Sequence, residues 1–196
     1  PPGCRRPGPG GRVDAARVVG GTDWRSRYEG GPGVVLAYAA MYGNTEQRAE
    51  RSARELAEAG VGPVRVYNLS YADPSVVLRD IFRFDTLIVG SPTYNAELFP
   101  PVEELLRRIE ARCIPQRRFA FFGSFTWAAA AVRRMREFAE RMKWTPVCEP
   151  VEMQQGYSSA AAECCRTLAA AVAKELDCKH RHGEDPPRRD GLRWAR

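Results

Sequence analysis

Apolar residues along this chain fall into two kinds of run that take turns. Short runs at Val34 to Tyr38, Val64 to Asn68, Thr86 to Gly90, Phe119 to Phe122 and Val147 to Val151 read as strands, those at Val34 and Thr86 continuously apolar as in a buried parallel strand. The segments between them place apolar residues at helical spacing. Asn44 to Ala59 sets Ala49, Ala53 and Leu56 on one face and stops at Gly60. Asp73-Pro74 reads as an N-cap followed by proline at the first helical position, opening a short helix with Val77, Leu78 and Ile81 inward. Pro101 to Ala111 turns Val102, Leu105, Leu106 and Ile109 inward. Trp127 to Met142 does the same with Val132, Met135, Phe138, Ala139 and Met142, and Ala160 to Leu176 with Cys165, Leu168, Val172 and Leu176.

Strands that each feed a helix predict an α/β fold: a five-stranded parallel sheet with helices on both faces and right-handed crossovers. A ligand of such a sheet sits beyond the C-terminal strand ends, near the point where the strand order reverses. The loops after the first, third and fourth strands are therefore the ones that matter.

Composition narrows the picture. The chain has 196 residues, 44% hydrophobic and 28% charged, which suits one folded domain. Residues 1–33 hold nine glycines and five prolines without apolar periodicity and are expected to be a flexible flank; residues 178–196 are expected to be a loose charged tail. The folded domain is expected over 34–177. The net charge of +6 comes from the flanks, each with six basic against three acidic residues, which leaves the middle neutral. A nucleic-acid-binding face concentrates positive charge on the folded part, so no nucleic acid is expected as a partner. No apolar run reaches the roughly 18 residues that cross a bilayer, and no charged-then-apolar leader opens the chain. No membrane association and a cytoplasmic location are expected. A start at Pro1 rather than at a methionine leaves open a longer coding sequence upstream.

His180 and His182 are the only histidines, so no histidine-rich metal centre is expected in the domain. The six cysteines make no C-x-x-C pair, and reduced thiols are the expectation. A Ser-His-Asp set is not expected within the domain, since no histidine precedes His180.

The first loop, Ala39 to Thr45, runs straight into a helix. Gly43 allows the backbone to close around a phosphate, helix N–H groups and the dipole favour an anion, and Asn44 and Thr45 add donors. There is no lysine of a Walker loop and no G-x-G-x-x-G, so a monophosphate fits better than a metal-bound triphosphate. A plain capped turn is the alternative. The second loop, Gly90 to Pro101, is stiffened by Pro92 and Pro100-Pro101 and offers Thr93, Tyr94 and Asn95 to a heterocycle; the alternative is a connection that only packs the helix. The third loop, Gly123 to Trp127, brings another aromatic pair to the same sheet edge, with helix packing as the alternative for Trp127. A phosphate cradle beside two aromatic, amide-rich loops is what a flat phosphorylated ring system requires.

Met41-Tyr42-Gly43-Asn44-Thr45-Glu46, Gly90-Ser91-Pro92-Thr93-Tyr94-Asn95 and Gly123-Ser124-Phe125-Thr126-Trp127 resemble flavodoxins, and in particular the flavodoxin-like domain of flavodiiron proteins (A-type flavoproteins). The resemblance spans about residues 34–176. It implies a flavodoxin-like three-layer sandwich of strand order 2-1-3-4-5 and FMN as cofactor. By that resemblance Ala40, Met41, Tyr42, Gly43, Asn44 and Thr45 surround the phosphate. Pro92, Thr93, Tyr94 and Asn95 line the isoalloxazine on one side, and Ser124, Phe125, Thr126 and Trp127 on the other. Four positions depart from the pattern. Ala40 stands where the family usually has a serine or threonine, Thr126 replaces a common glycine, and Ala128-Ala129 replaces a Ser-Gly or Gly-Gly pair.

The resemblance also implies partners. Flavodiiron proteins carry a metallo-β-lactamase-like diiron domain, which this chain lacks, so that domain is expected in a longer chain or in trans. An electron donor such as rubredoxin or an NAD(P)H reductase, and a homodimer, are implied in the same way. An FMN electron carrier is the leading reading, with no side chain acting as nucleophile or base. An FMN-dependent NAD(P)H:quinone oxidoreductase and a flavin-less structural module stay open beside it. Glu97, in the second loop, is expected to lower the flavin potential by its negative charge.

Overall fold

In the computed structural model, which describes residues 31–41, 43–125, 130–154 and 159–181, the run at Val34 owes its unbroken apolar character to a central place in the sheet. β1 (Gly31–Tyr38) is buried from Gly33 to its end. It pairs in parallel with β2 (Val64–Asn68) on one side and β3 (Phe84–Tyr94) on the other, with Leu36 opposite both Val66 and Ile88. β5 (Arg118–Phe125) extends the sheet from β3, with Val89 opposite Phe121. β4 (Glu97–Leu98) folds back antiparallel onto the end of β3. β6 (Thr145–Pro146) and β7 (Val151–Gln154) both lie in parallel beside β5, at Phe119 and at Phe122–Phe125 respectively.

The order of the main strands is the expected 2-1-3-4-5, with one addition and one correction. The addition is the short β4 at the tip of β3. The correction concerns the fifth strand: residues 147–150, expected to form most of it, bulge out, and the edge is two pieces. Pro146 precedes that stretch and Pro150 ends it, and neither has an N–H to give the ladder. The Val147 N–H still donates to Phe119 O at 2.9 Å.

Alternate residues of each strand feed two cores. Val35, Ala37, Leu87, Val89, Phe119 and Phe121 point to the face covered by α2 (Pro74–Arg83), α3 (Pro100–Ala111) and α4 (Ala130–Met142). Val34, Leu36, Ile88, Ala120 and Phe122 point to the face covered by α1 (Asn44–Glu58) and α5 (Ser159–Arg181). Three layers result. The inward sets read from helical spacing are buried: Val77, Leu78 and Ile81 on α2, Val102, Leu105 and Ile109 on α3, Met135 and Phe138 on α4, Leu168 and Val172 on α5. Asp73 caps α2 as expected, its Oδ1 accepting from the Ser75 N–H at 2.7 Å.

Two elements run longer than expected. β1 opens at Gly31 rather than Val34, and α5 runs on to Arg181 rather than ending at Leu176. The start expected for the fourth helix, Trp127 to Ala129, lies outside the described residues, as do residues 1–30. Among the described residues no helix is long and apolar enough to cross a membrane, and no cluster of metal-ligating side chains occurs.

Candidate functional site

The ends of β1, β3 and β5 lie side by side, so the three loops singled out in the sequence share one edge of the sheet. After β1 the chain stays close to β3, the Ala39 N–H donating to Gly90 O at 3.1 Å. It then turns into α1 through Gly43, whose φ of 80° is left-handed and favours glycine. No side chain caps this helix. The Gln47 N–H is bonded to Gly43 O at 3.0 Å. The N–H groups of Asn44, Thr45 and Glu46 precede it and so have no carbonyl one turn back. They form a positive end that faces the loop.

Thr45 is only 2% exposed. Its Oγ1 lies 3.1 Å from Ser124 Oγ at the end of β5, which joins the first loop to the third. Glu46, the acid in this first turn, accepts from Tyr38 OH at 3.1 Å. Burial and that carboxylate together push the Tyr38 phenol up, so it stays a donor at neutral pH. Met41 is exposed, Ala40 and Asn44 are half-buried, and Tyr42 lies outside the described residues.

The second loop differs from its expected form. β3 runs through Ser91, Pro92, Thr93 and Tyr94 instead of ending at Gly90, then reverses through Asn95 and Ala96 into β4. Both turn residues have positive φ, 49° and 59°, the geometry whose twist suits a two-residue hairpin. Fully buried Ser91 closes the base, its hydroxyl donating to Pro92 O and accepting from the Phe99 N–H. Pro92 sits opposite Ser124 in the ladder. Thr93 Oγ1 accepts from the Ala131 N–H at 3.2 Å, so a residue expected to line a ring also supplies an acceptor to the first turn of α4. Tyr94 stands 39% exposed, edge-on to Phe99 with ring centroids 5.9 Å apart, and Asn95 is exposed at the turn.

In the third loop Gly123, Ser124 and Phe125 are still strand, ending β5 later than expected, with Ser124 between Pro92 and Met153. Thr126, Trp127, Ala128 and Ala129 lie outside the described residues.

Two charged residues here had no local signal. Arg134 of α4 makes a forked ion pair with Glu97 and a further hydrogen bond to Glu137. These carboxylates raise the Arg134 guanidinium, and the arginine holds Glu97 below the ordinary carboxylate range. Glu97 therefore acts as half of a close pair rather than as a lone charge, which weakens the field expected of it at the cleft. Arg48 is 2% exposed and sits one turn along α1 from Thr45, where burial lowers its guanidinium and Cys165 lies near. Only the packing of α1 against the sheet and α5 reveals it as a buried cation.

The described residues fit a ligand with a monoanionic or dianionic head and a flat body. Such a head would find uncharged donors at an uncapped helix start beside a buried hydroxyl, and such a body a hairpin bearing an exposed aromatic ring. One donor is absent, since Ala40 has no hydroxyl.

The family model for flavodoxin matches residues 36–176. An anaerobic nitric oxide reductase flavorubredoxin of Aeromonas hydrophila is 30% identical over 115 residues, which are 58% of this chain and 23% of that protein. The rubredoxin oxygen:oxidoreductase from Desulfovibrio gigas superposes with a TM-score of 0.79 at 24% identity, over 85% of this chain and 41% of that one. Oxidised flavodoxin 2 from Bacillus cereus superposes with a TM-score of 0.63 at 26% identity, over 73% of this chain and 99% of that one. The chain thus spans the whole of a flavodoxin, but about a quarter of the length of that curated flavorubredoxin.

Proposed function

The chain belongs to the flavodoxin family, whose cofactor is FMN, and on that premise we propose that it is an electron-transfer module serving a flavodiiron oxygen or nitric oxide reductase system. The observation that carries the reading is the 3.1 Å contact between Thr45 and Ser124, which sets an uncapped helix start against the loop expected to wall the ring. Bound FMN supplies the redox chemistry. The chain's residues bind and orient it. The N–H groups of Asn44 and Thr45 and the Thr45 hydroxyl hold the phosphate, Gly43 lets the backbone curl round it, and Tyr94 stands against the ring. Met41, Asn44, Pro92, Thr93, Asn95, Ser124 and Phe125 complete the proposed site; Tyr42, Thr126 and Trp127, which lie outside the described residues, are assigned to it from the sequence alone. No side chain here has to move a proton.

In this reading the electron acceptor is a diiron metallo-β-lactamase-like domain, in a longer chain or in trans, and the donor is a rubredoxin or an NAD(P)H reductase. Pairing into a homodimer and a cytoplasmic location, where Cys113, Cys148, Cys164 and Cys165 remain free thiols, belong to the same proposal.

The test is a fluorescence titration of the purified, flavin-free protein with FMN and with riboflavin. FMN is expected to bind and lose its fluorescence, and riboflavin, without the phosphate, to bind at least about tenfold more weakly. No uptake of FMN at high micromolar concentration overturns the reading.

A further inference from the structure

We propose that Arg134 is a positioning residue: through Glu97 it fastens the hairpin that carries Tyr94 to α4, and so sets the aromatic wall of the cleft. The inference rests on the FMN reading only for what the wall is used for.

The hairpin has little to hold it by itself. β4 is two residues long, and the turn puts Ala96, a residue with a Cβ, in the left-handed region at φ 59°. An isolated two-stranded hairpin is at best marginal in water. Both of its strands are instead tied to α4. On β3, Thr93 Oγ1 accepts from the Ala131 N–H at 3.2 Å. On β4, both carboxylate oxygens of Glu97 accept from the guanidinium of Arg134. Residues 131 and 134 are three apart on the helix, so the two ties lie on one face, a rise of about 4.5 Å apart.

Register makes the tie act on the ring. Glu97 is the cross-strand partner of Tyr94, so fixing one fixes the backbone of the other. Exposed ion pairs in general contribute little, but a forked arginine–carboxylate pair within a network is the exception. Here Arg134 is also bonded to Glu137, and Arg133 pairs with Glu137 in turn.

The experiment compares Arg134→Gln, Glu97→Gln, the double variant and Arg134→Lys with the unaltered protein. The readouts are amide hydrogen exchange at Tyr94–Leu98 without flavin, and the FMN dissociation constant. Glu97 is exposed and Arg134 half-buried at the surface, so the variants are expected to fold with little change in thermal midpoint. Each glutamine variant is expected to speed exchange across the hairpin and to raise the dissociation constant about three- to tenfold. The double variant should do no worse than either single one, and lysine should recover part of the loss. Unchanged exchange in both glutamine variants overturns the proposal, as does a double variant whose losses simply add. If the unaltered protein takes up no FMN, the functional reading falls, while the exchange arm still decides the role of Arg134.

Discussion

The side-chain oxygens of Thr45 and Ser124 lie 3.1 Å apart although 79 positions separate the two residues in the chain. One opens α1 at the end of β1 and the other closes β5, and only β3 lies between those strands. The contact fixes the spacing of the two loops at the end proposed to hold the phosphate.

Thr45→Val keeps the shape and removes the hydroxyl. It is expected to destabilise the fold by about 1 kcal/mol, since the Ser124 hydroxyl can turn elsewhere, and to weaken FMN binding about tenfold or more. Chemical denaturation and a flavin fluorescence titration check the two parts separately. A loss of stability with no loss of affinity would show that the hydroxyl serves the fold alone.

Ala40→Ser is expected to go the other way. Ala40 is half-buried beside the cradle. A hydroxyl at that position adds the donor that the phosphate site lacks, and FMN should bind about fivefold more tightly while riboflavin is unaffected. Parallel titrations with the two flavins read this directly.

Gly43→Ala isolates the backbone. A Cβ there meets nothing within 4 Å, but φ is 80°. The variant is expected to cost about 1–2 kcal/mol in the bound conformation, and Gly43→Asn less, because asparagine visits the left-handed region more readily. Calorimetric affinities for FMN should fall in the order glycine, asparagine, alanine.

Gly90→Ala tests the sheet below the cleft. An added Cβ would come 2.4 Å from the Phe122 ring in the neighbouring strand. A loss of about 1–3 kcal/mol is expected, partly restored by Phe122→Leu, as measured in urea.

Acid should act on Asp73 in a definite direction. The Ser75 N–H and hydroxyl hold its carboxylate below the usual range. A depressed folded value means a contribution that is present above the unfolded value near pH 4 and lost as pH falls through the folded one. Thermal midpoints recorded from pH 7 down to about 2.5 should drop in that window. Asp73→Asn still caps α2 but does not titrate, and it should shallow the slope.

Where sequence and structure agree, the signal is local. The apolar run at Val34 is long enough to be buried on both faces, and Asp73-Pro74 carries its own capping chemistry. Gly43-Asn44-Thr45 announces a helix start, and α1 opens at Asn44. Where they differ, the cause is a partner elsewhere in the chain. Pro92 and Pro100 read locally as a loop, yet Ser91–Tyr94 is strand, because β5 continues alongside at Gly123 and Ser124 and Glu97–Leu98 folds back. The turn of that hairpin is Asn-Ala, without the glycine that marks such turns, so no motif revealed it. Val147 to Val151 is the exception, where the cause is local: the prolines on either side of residues 147–149 interrupt the ladder between β6 and β7.

From the sequence alone came the alternation of strand and helix, the residues each helix turns inward, and the three loops at one sheet edge. These depend on hydrophobic period and on turn chemistry, both carried by neighbouring residues. The tertiary structure alone decided that Thr45 meets Ser124, that Thr93 accepts from α4, that Arg134 grips Glu97, and that Arg48 is buried. Each of these joins residues from separate elements, and a hydrogen bond or ion pair forms only when packing brings its two groups within about 3 Å.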